Sequence, residues 1–262
     1  MHVEVITNRP EGRVRPTPLL FVHGMWHAAW CWENFLPYFA RHGYESHALS
    51  LRGHGQSDGR AGIRWYSGAK DYVADVAQVA QSLKQSPVLI GHSMGGYVIQ
   101  KYLETLTAPA GILLASIPVS GLAGSALRYF SKHPVQFLKY MLLLDPWQMV
   151  ATPDLMKDVL FSPTLPASEA ARHFARLQPE SYRVTLEALL LNLPHPRNSK
   201  TPVLVLAAAN DSSFSIAEEQ ATARAYNTEA EIFPNMAHDM MLEPDWQKVA
   251  DRILVWLTER GL

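Results

Sequence analysis

The pentad Gly91-His92-Ser93-Met94-Gly95 sets a serine between two glycines. It follows a short apolar run, Pro87-Val88-Leu89-Ile90, and precedes Gly96-Tyr97-Val98-Ile99. The run reads as a buried strand and the residues after it as the start of a helix. A G-x-S-x-G pattern between a strand and a helix marks a sharp, strained turn that lifts the serine hydroxyl above the sheet edge. Gly91 and Gly95 serve that turn because a Cβ at either place would collide with the strand-to-helix crossing. Ser93 is therefore read as a nucleophile.

A serine hydroxyl is a weak nucleophile near neutral pH and needs a base beside it. Of the 11 histidines, His238 is the candidate. It lies in the loop Pro234-Asn235-Met236-Ala237-His238, after the last expected strand and before the last expected helix. His92 is next to Ser93 but is expected to point away from it and pack. His23 and His54 sit in glycine-rich turns and are read as loop organisers. The base needs a carboxylate to fix its tautomer. Asp211 directly follows an expected strand, and the order Ser93, Asp211, His238 is nucleophile, acid, base. The competing reading of Asp211 is an N-cap for a helix near Ser215 to Tyr226. Glu218 and Glu219 fall inside that helix and are expected to be solvated. Asp239 adjoins the base and cannot easily turn back onto its ring; its carboxylate can point inward, or face solvent or nearby backbone.

Charge developing on a carbonyl oxygen needs preorganised N–H donors. The backbone of Met94, after the nucleophile, offers one. The turn after Leu19-Leu20-Phe21-Val22 reads His23-Gly24-Met25-Trp26, and the Met25 amide is the second candidate.

These loops need strands to hold them. Leu19–Val22, Glu45–Leu51, Val88–Ile90 and Gly111–Ala115 read as strands. Trp32 to Phe39, Tyr72 to Leu83 and Tyr97 to Leu106 read as helices between or after them. Such alternation implies a mainly parallel sheet covered on both faces. The pattern then changes. Half of the 18 prolines fall between Pro118 and Pro196, and no glycine occurs from Ser125 to Arg260. Frequent proline without glycine predicts short helices with sharp stops. Residues 118–199 are read as a helical cap inserted into a core of residues 1–117 and 200–262. The core pattern resumes with strands at Pro202–Leu206 and Ala230–Phe233. A last helix follows, with an apolar stripe of Trp246, Val249, Ala250, Ile253 and Leu257.

Composition narrows the functional classes. At 262 residues with 48% hydrophobic and 18% charged, the chain suits a globular enzyme. Net charge is −1 and no basic run tracks phosphates, which argues against nucleic acid. The single cysteine, Cys31, excludes an internal disulfide and a cysteine-rich metal site. No metal constellation or dinucleotide loop stands out, so no metal and no cofactor are expected. No apolar run is long enough to span a bilayer, and the start of the chain has no signal-peptide character. A cytoplasmic location is the expectation.

With these residues in place, the chain resembles the α/β-hydrolases over essentially its full length. It is most similar to the group holding plant methylesterases and hydroxynitrile lyases. The resemblance rests on His23-Gly24-Met25-Trp26-His27-Ala28-Ala29-Trp30-Cys31-Trp32 and on Ala237-His238-Asp239-Met240-Met241-Leu242-Glu243-Pro244. Leu51-Arg52-Gly53-His54-Gly55-Gln56-Ser57 resembles a loop of bacterial members. The resemblance implies an α/β-hydrolase fold with a helical cap and a serine hydrolase that cleaves a carboxylic ester. A thioester, a lactone or a carbon–carbon bond would suit the same machinery, and a slow-turnover ligand receptor is a further alternative. The lyases of the group place a lysine just after the base and a hydroxyl residue where Met25 stands. This chain has Asp239 and Met25 there, and both departures argue against a lyase. The expected partner is a small-molecule ester with an apolar part. Trp26, Trp65, Tyr66, Phe130, Phe137, Met141 and Trp147 either line the space between cap and Ser93 or pack the cap's own core.

Overall fold

The computed structural model describes residues 1–10, 12 and 14–262, the side chains of residues 64 and 198 excepted. Seven strands form one sheet: β1 (Val5–Asn8), β2 (Leu19–Val22), β3 (Ser46–Leu49), β4 (Val88–His92), β5 (Gly111–Leu114), β6 (Val203–Ala208) and β7 (Ala230–Phe233). Their spatial order is β1-β3-β2-β4-β5-β6-β7. Only β1 runs antiparallel, pairing Val5 with Leu49 and Asn8 with Ser46. β2 to β6 are buried along their whole length. Continuous apolar runs such as Leu19–Val22 therefore suit strands sandwiched between helices.

The helices of the first half are α1 (Phe35–Arg41), α2 (Ile63–Tyr66), α3 (Ala69–Ser82) and α4 (Met94–Tyr102). A 3-10 turn at Ala29–Trp32 precedes α1. Between β5 and β6 the described residues form only helices: α5 (Ala123–Lys132), α6 (Pro134–Leu143), α7 (Pro153–Leu160), α8 (Ala167–Phe174) and α9 (Tyr182–Leu186), with short 3-10 turns and a π-turn at Glu187–Leu191. Pro134 and Pro153 each open a helix, where a missing N–H costs nothing. α10 (Ile216–Ala225) and α11 (Trp246–Glu259) complete the chain.

β2 lies between β3 and β4, so the chain leaves it first to one side and later to the other. Ligands of open α/β sheets bind at such a reversal, beyond the carboxyl ends of the strands. Val22 and Gly91 sit side by side at that end. The next residues are the His23 turn on one strand and His92-Ser93 on the other.

Two sequence expectations need correction here. β1 went unread because it is an exposed, polar edge strand, Val-Ile-Thr-Asn, with no apolar alternation. The helix expected from Tyr97 begins at Met94, immediately after Ser93, and ends at Tyr102. The turn is tighter than the sequence suggests because Gly95 and Gly96 are already helical.

The helical segment is fastened to the sheet by buried polar groups. The Gln178 N–H donates to the Trp26 carbonyl at 2.8 Å, and the Gly55 N–H donates to Gln178 Oε1 at 2.8 Å. Glu180 is fully enclosed, accepting from Tyr72 Oη at 2.7 Å, with His54 Nε2 3.2 Å from its other oxygen. Further along, the Ser162 N–H and hydroxyl donate to Glu243 at 2.7 and 2.6 Å.

A Cβ on Gly95 would fall on the Val22 carbonyl oxygen. Gly95→Ala is expected to destabilise the protein by about 3 kcal/mol or more, through overpacking against backbone that cannot give way. Denaturant unfolding of the purified variant measures this; an unchanged midpoint would show that the helix can shift off β2.

Candidate functional site

Ser93 ends β4 with φ 51° and ψ −115°, a strained conformation for a residue with a side chain. Three backbone bonds hold it there. Its N–H donates to the Leu114 carbonyl at 3.0 Å, and its own carbonyl accepts from Tyr97 and Ile117. The glycines clear the space. A Cβ on Gly91 would lie 2.6 Å from the Gly95 backbone, and one on Gly24 would lie 3.0 Å from the Ser93 Cβ. The turn after β2 thus lies directly against Ser93.

Met94 is the first residue of α4, so its amide is one of the unpaired donors at a helix start. Among the described residues neither the Met94 nor the Met25 amide is engaged by a protein acceptor. Trp26, just beyond Met25, takes a positive φ of 65°. His27 braces this bend by hydrogen-bonding the Met25 carbonyl through Nδ1 at 2.7 Å. His23 works the same way one step earlier. Its Nε2 accepts from the Leu51 N–H at 3.0 Å, so Nδ1 carries the proton and donates to the Gly24 carbonyl at 2.8 Å.

β6 delivers Asp211 and β7 delivers His238. His238 Nδ1 lies 2.8 Å from Asp211 Oδ2. Asp211 Oδ1 accepts from the Ser213 and Phe214 amides at 2.7 and 3.1 Å, which fixes the carboxylate. Asp211 is not a helix cap; Ser215 caps α10 and closes a reciprocal pair with Glu218. Ser93 and His238 border the same cavity, and both are nearly enclosed. Burial penalises protonated His238. The Asp211 charge, its hydrogen bond and the Asp239 charge together outweigh that penalty and hold the imidazole pKa above its usual value.

His92 is buried and packs on the His238 ring, as its sequence reading expected, and Asp239 takes an orientation that the sequence left open. Asp239 is fully buried, facing neither solvent nor the cavity, with Oδ2 3.0 Å from His27 Nε2 and Oδ1 3.6 Å from His92 Nε2. Burial raises its pKa, but His27 and His92 outweigh that and hold it below the usual carboxylate range. His92 Nε2 also lies 3.0 Å from the His238 carbonyl. Burial and the neighbouring His238 push the His92 pKa down to about 3, so the ring is neutral. Asp239 therefore links the bend beside Met25, through His27, to the loop carrying His238. Possible ligand atoms of His92, His238 and Asp239 lie within 4.8 Å of one another. Each of these groups already has protein partners, and His238 Nδ1 is taken by Asp211. Glu219, expected in solvent, is buried in α10 against the sheet. Burial and the charge of Asp211 push its carboxyl pKa well up.

The cavity beside Ser93 has a volume of about 110 Å³. Its walls come from the turn after β2 (Met25, Trp26), from α5 and α6 (Ala126, Tyr129, Phe137, Tyr140, Met141), from Leu186 and Leu189, and from Phe214 beside His238. Three of the seven expected lining residues are there: Trp26, Phe137 and Met141. The other four stand elsewhere. Trp147 packs on Phe174, Phe130 is exposed against the outer side of Phe137, Trp65 leans on Tyr182, and Tyr66 faces solvent. Aromatic content marked the helical segment but not which helix face turns inward. Tyr129 of α5 and Tyr140 of α6 also line the cavity and were missed; with α6 apolar on every face, no pattern in the sequence marked them.

The helical segment also touches the loops that carry Asp211 and His238. The Asp239 N–H donates to the Leu160 carbonyl at 2.9 Å, and Ser212 Oγ donates to the Val159 carbonyl at 2.9 Å. The end of α7 thus holds the neighbours of both His238 and Asp211.

Asp239→Asn removes a negative charge that favours the protonated His238 ring. The His238 titration, followed by NMR, is expected to move to lower pH. An unmoved titration would mean that the Asp239 charge is spent wholly on His27.

Comparison with known proteins agrees with this architecture. The profile of the alpha/beta hydrolase family matches residues 19–252. A non-heme chloroperoxidase of Streptomyces lividans is 33% identical over 105 residues, 38% of this chain and 37% of that protein. A protein named "Probable esterase PIR7A" from Oryza sativa subsp. indica is 31% identical over 109 residues, 39% of this chain and 40% of that one. These matches span less than half the length of either relative. The solved structure of a thermophilic esterase from Thermogutta terrifontis superposes with a TM-score of 0.75 at 18% identity, covering 99% of this chain and 94% of that one. With nearly the whole sheet and its helices inside the matched range, the chain belongs to the alpha/beta hydrolase family.

Proposed function

We propose that this protein is a serine hydrolase of carboxylic esters with an apolar part, acting through Ser93, His238 and Asp211. The observation that carries the reading is the 2.8 Å contact of His238 Nδ1 with a doubly anchored Asp211, in a ring that shares its cavity with the strained Ser93. Nδ1–H donating to Asp211 leaves Nε2 as the free basic nitrogen. Ser93 Oγ attacks the ester carbonyl while Nε2 takes its proton. The Met25 and Met94 amides receive the oxyanion. The intermediate collapses, His238 returns the proton to the departing alcohol, and an acyl-Ser93 remains. Water, deprotonated by His238, releases the acid. The helices between β5 and β6 act as a cap that sets the shape of the apolar cavity.

A lyase reading gains no support. The position after the base carries Asp239, whose carboxylate is turned into the His27 and His92 pair. No cation is supplied there for a leaving cyanide.

Ser93→Ala is expected to abolish turnover of simple aryl esters while the fold is kept. In the parent, the rate is expected to rise with pH, because His238 must be neutral to act as base. With its pKa raised, the midpoint lies above the ordinary imidazole value of about 6.5. A folded Ser93→Ala protein with native activity would remove the mechanism, and a panel of esters with no serine-dependent turnover would favour a binding role.

Phe137→Ala enlarges the cavity and is expected to change relative kcat/KM between short and long acyl chains by about tenfold. Trp147→Ala, packing on Phe174 outside the cavity, is expected to affect all esters alike. The same pattern from both variants would show that Phe137 only supports the cap.

A further inference from the structure

The outer side of the helical segment is apolar. Leu127 and Phe130 of α5 and Val135, Leu138, Leu142 and Leu143 of α6 are exposed, Leu142 to 81%. α6 is apolar all round, Lys139 being its one charged residue, and a solvent-facing helix normally shows a polar outer face. Leu190 and Leu191 of the π-turn are exposed too, as are Trp65 and Tyr66 of α2.

The exposed residues of α5 and α6 lie on two helices packed side by side, and Trp65 reaches them through the buried rings of Tyr182 and Tyr140. Trp65 leans on Tyr182 at 5.4 Å, Tyr182 on Tyr140 at 5.8 Å, Tyr140 on Phe137 at 5.9 Å and Phe137 on Phe130 at 5.4 Å. Monomeric soluble proteins rarely leave so much contiguous apolar surface without a partner.

The charge of the same segments says which partner. Residues 59–70, 119–144 and 188–200 contain no aspartate or glutamate, although the chain as a whole has 24 acidic against 23 basic residues. They carry Arg60, Lys70, Arg128, Lys132, Lys139, Arg197 and Lys200. Arg128 and Lys132 are paired with Glu218 and Asp158. Lys139, on α6 itself, and Lys70, at the start of α3, form no ion pair among the described residues, whereas Arg197 and Lys200 lie before β6, at the other end of the sheet. Leucines flanked by unpaired cations, with a tryptophan and a tyrosine at the margin, are what an interfacial helix presents to lipid. A second copy of this chain would bring the same positive charge against itself.

We propose that this face docks on an anionic lipid surface, with α6 lying in the interface. Met141 is both half-exposed on this face and part of the cavity wall, so docking sets a wall of the cavity against the lipid. The inference does not depend on the ester chemistry.

The test uses the full chain and flotation with two kinds of vesicle, phosphatidylcholine alone and phosphatidylcholine with phosphatidylglycerol. The parent is expected to float with the anionic vesicles and to be released as salt rises. The double variant Leu138→Glu/Leu142→Glu changes exposed residues outside the cavity, and is expected to bind at least about tenfold more weakly. Lys139→Gln is expected to weaken binding to anionic vesicles by about fivefold. Failure of the parent to float with either vesicle, or equal binding by the folded double variant, would overturn the proposal. So would a dimer in sedimentation that the double variant dissolves while vesicle binding is absent.

Discussion

The Val22 carbonyl fills the space that a side chain on Gly95 would need. That contact fixes how near α4 passes to β2, and the rest of the site follows from it. With α4 so close, β4 must turn within one residue, and Ser93 takes the strain as a positive φ. The same closeness brings the Gly24 backbone against the Ser93 side chain. Strain of this kind persists only where the surroundings over-determine it. Here the Leu114, Tyr97 and Ile117 backbones do so.

A second layer of order lies behind the cavity, in polar groups that never reach it. His23, His27 and His92 are buried rings that tie bends together. Asp239 is the hub between two of them. Burying a carboxylate is costly unless it is matched by partners, and two imidazoles on either side supply the match. The arrangement makes the bend after β2 and the loop after β7 parts of one unit.

The sheet and the Ser93, Asp211 and His238 loops were legible because each rests on local sequence: apolar runs of strand length, glycines where backbones cross, and loops placed after strands. β1 was not, since an edge strand needs no apolar pattern. Glu219 was misread because charge says nothing about which side of α10 meets the sheet. The orientation of Asp239 was not legible for a related reason. Its partners, His27 and His92, are distant in sequence, and no spacing rule links them. The cavity wall was half legible. Residue type marked α5 and α6 as apolar, but with α6 apolar on every face the pattern has no phase from which to pick the inner side.

The bonds from Leu160 to Asp239 and from Val159 to Ser212 have a consequence for how this architecture can diversify. An insertion joined to its scaffold only through its two ends could be exchanged freely between relatives. The helical segment between β5 and β6 also holds the flanks of Asp211 and His238, far from either of its ends. Replacing it wholesale would leave the loops at Asp211 and His238 without their outer support. Variation should therefore accumulate in α5, α6 and the π-turn while the end of α7 stays constant. In local unfolding, the end of α7 should open together with the β6 and β7 loops rather than with the helices beside it in sequence.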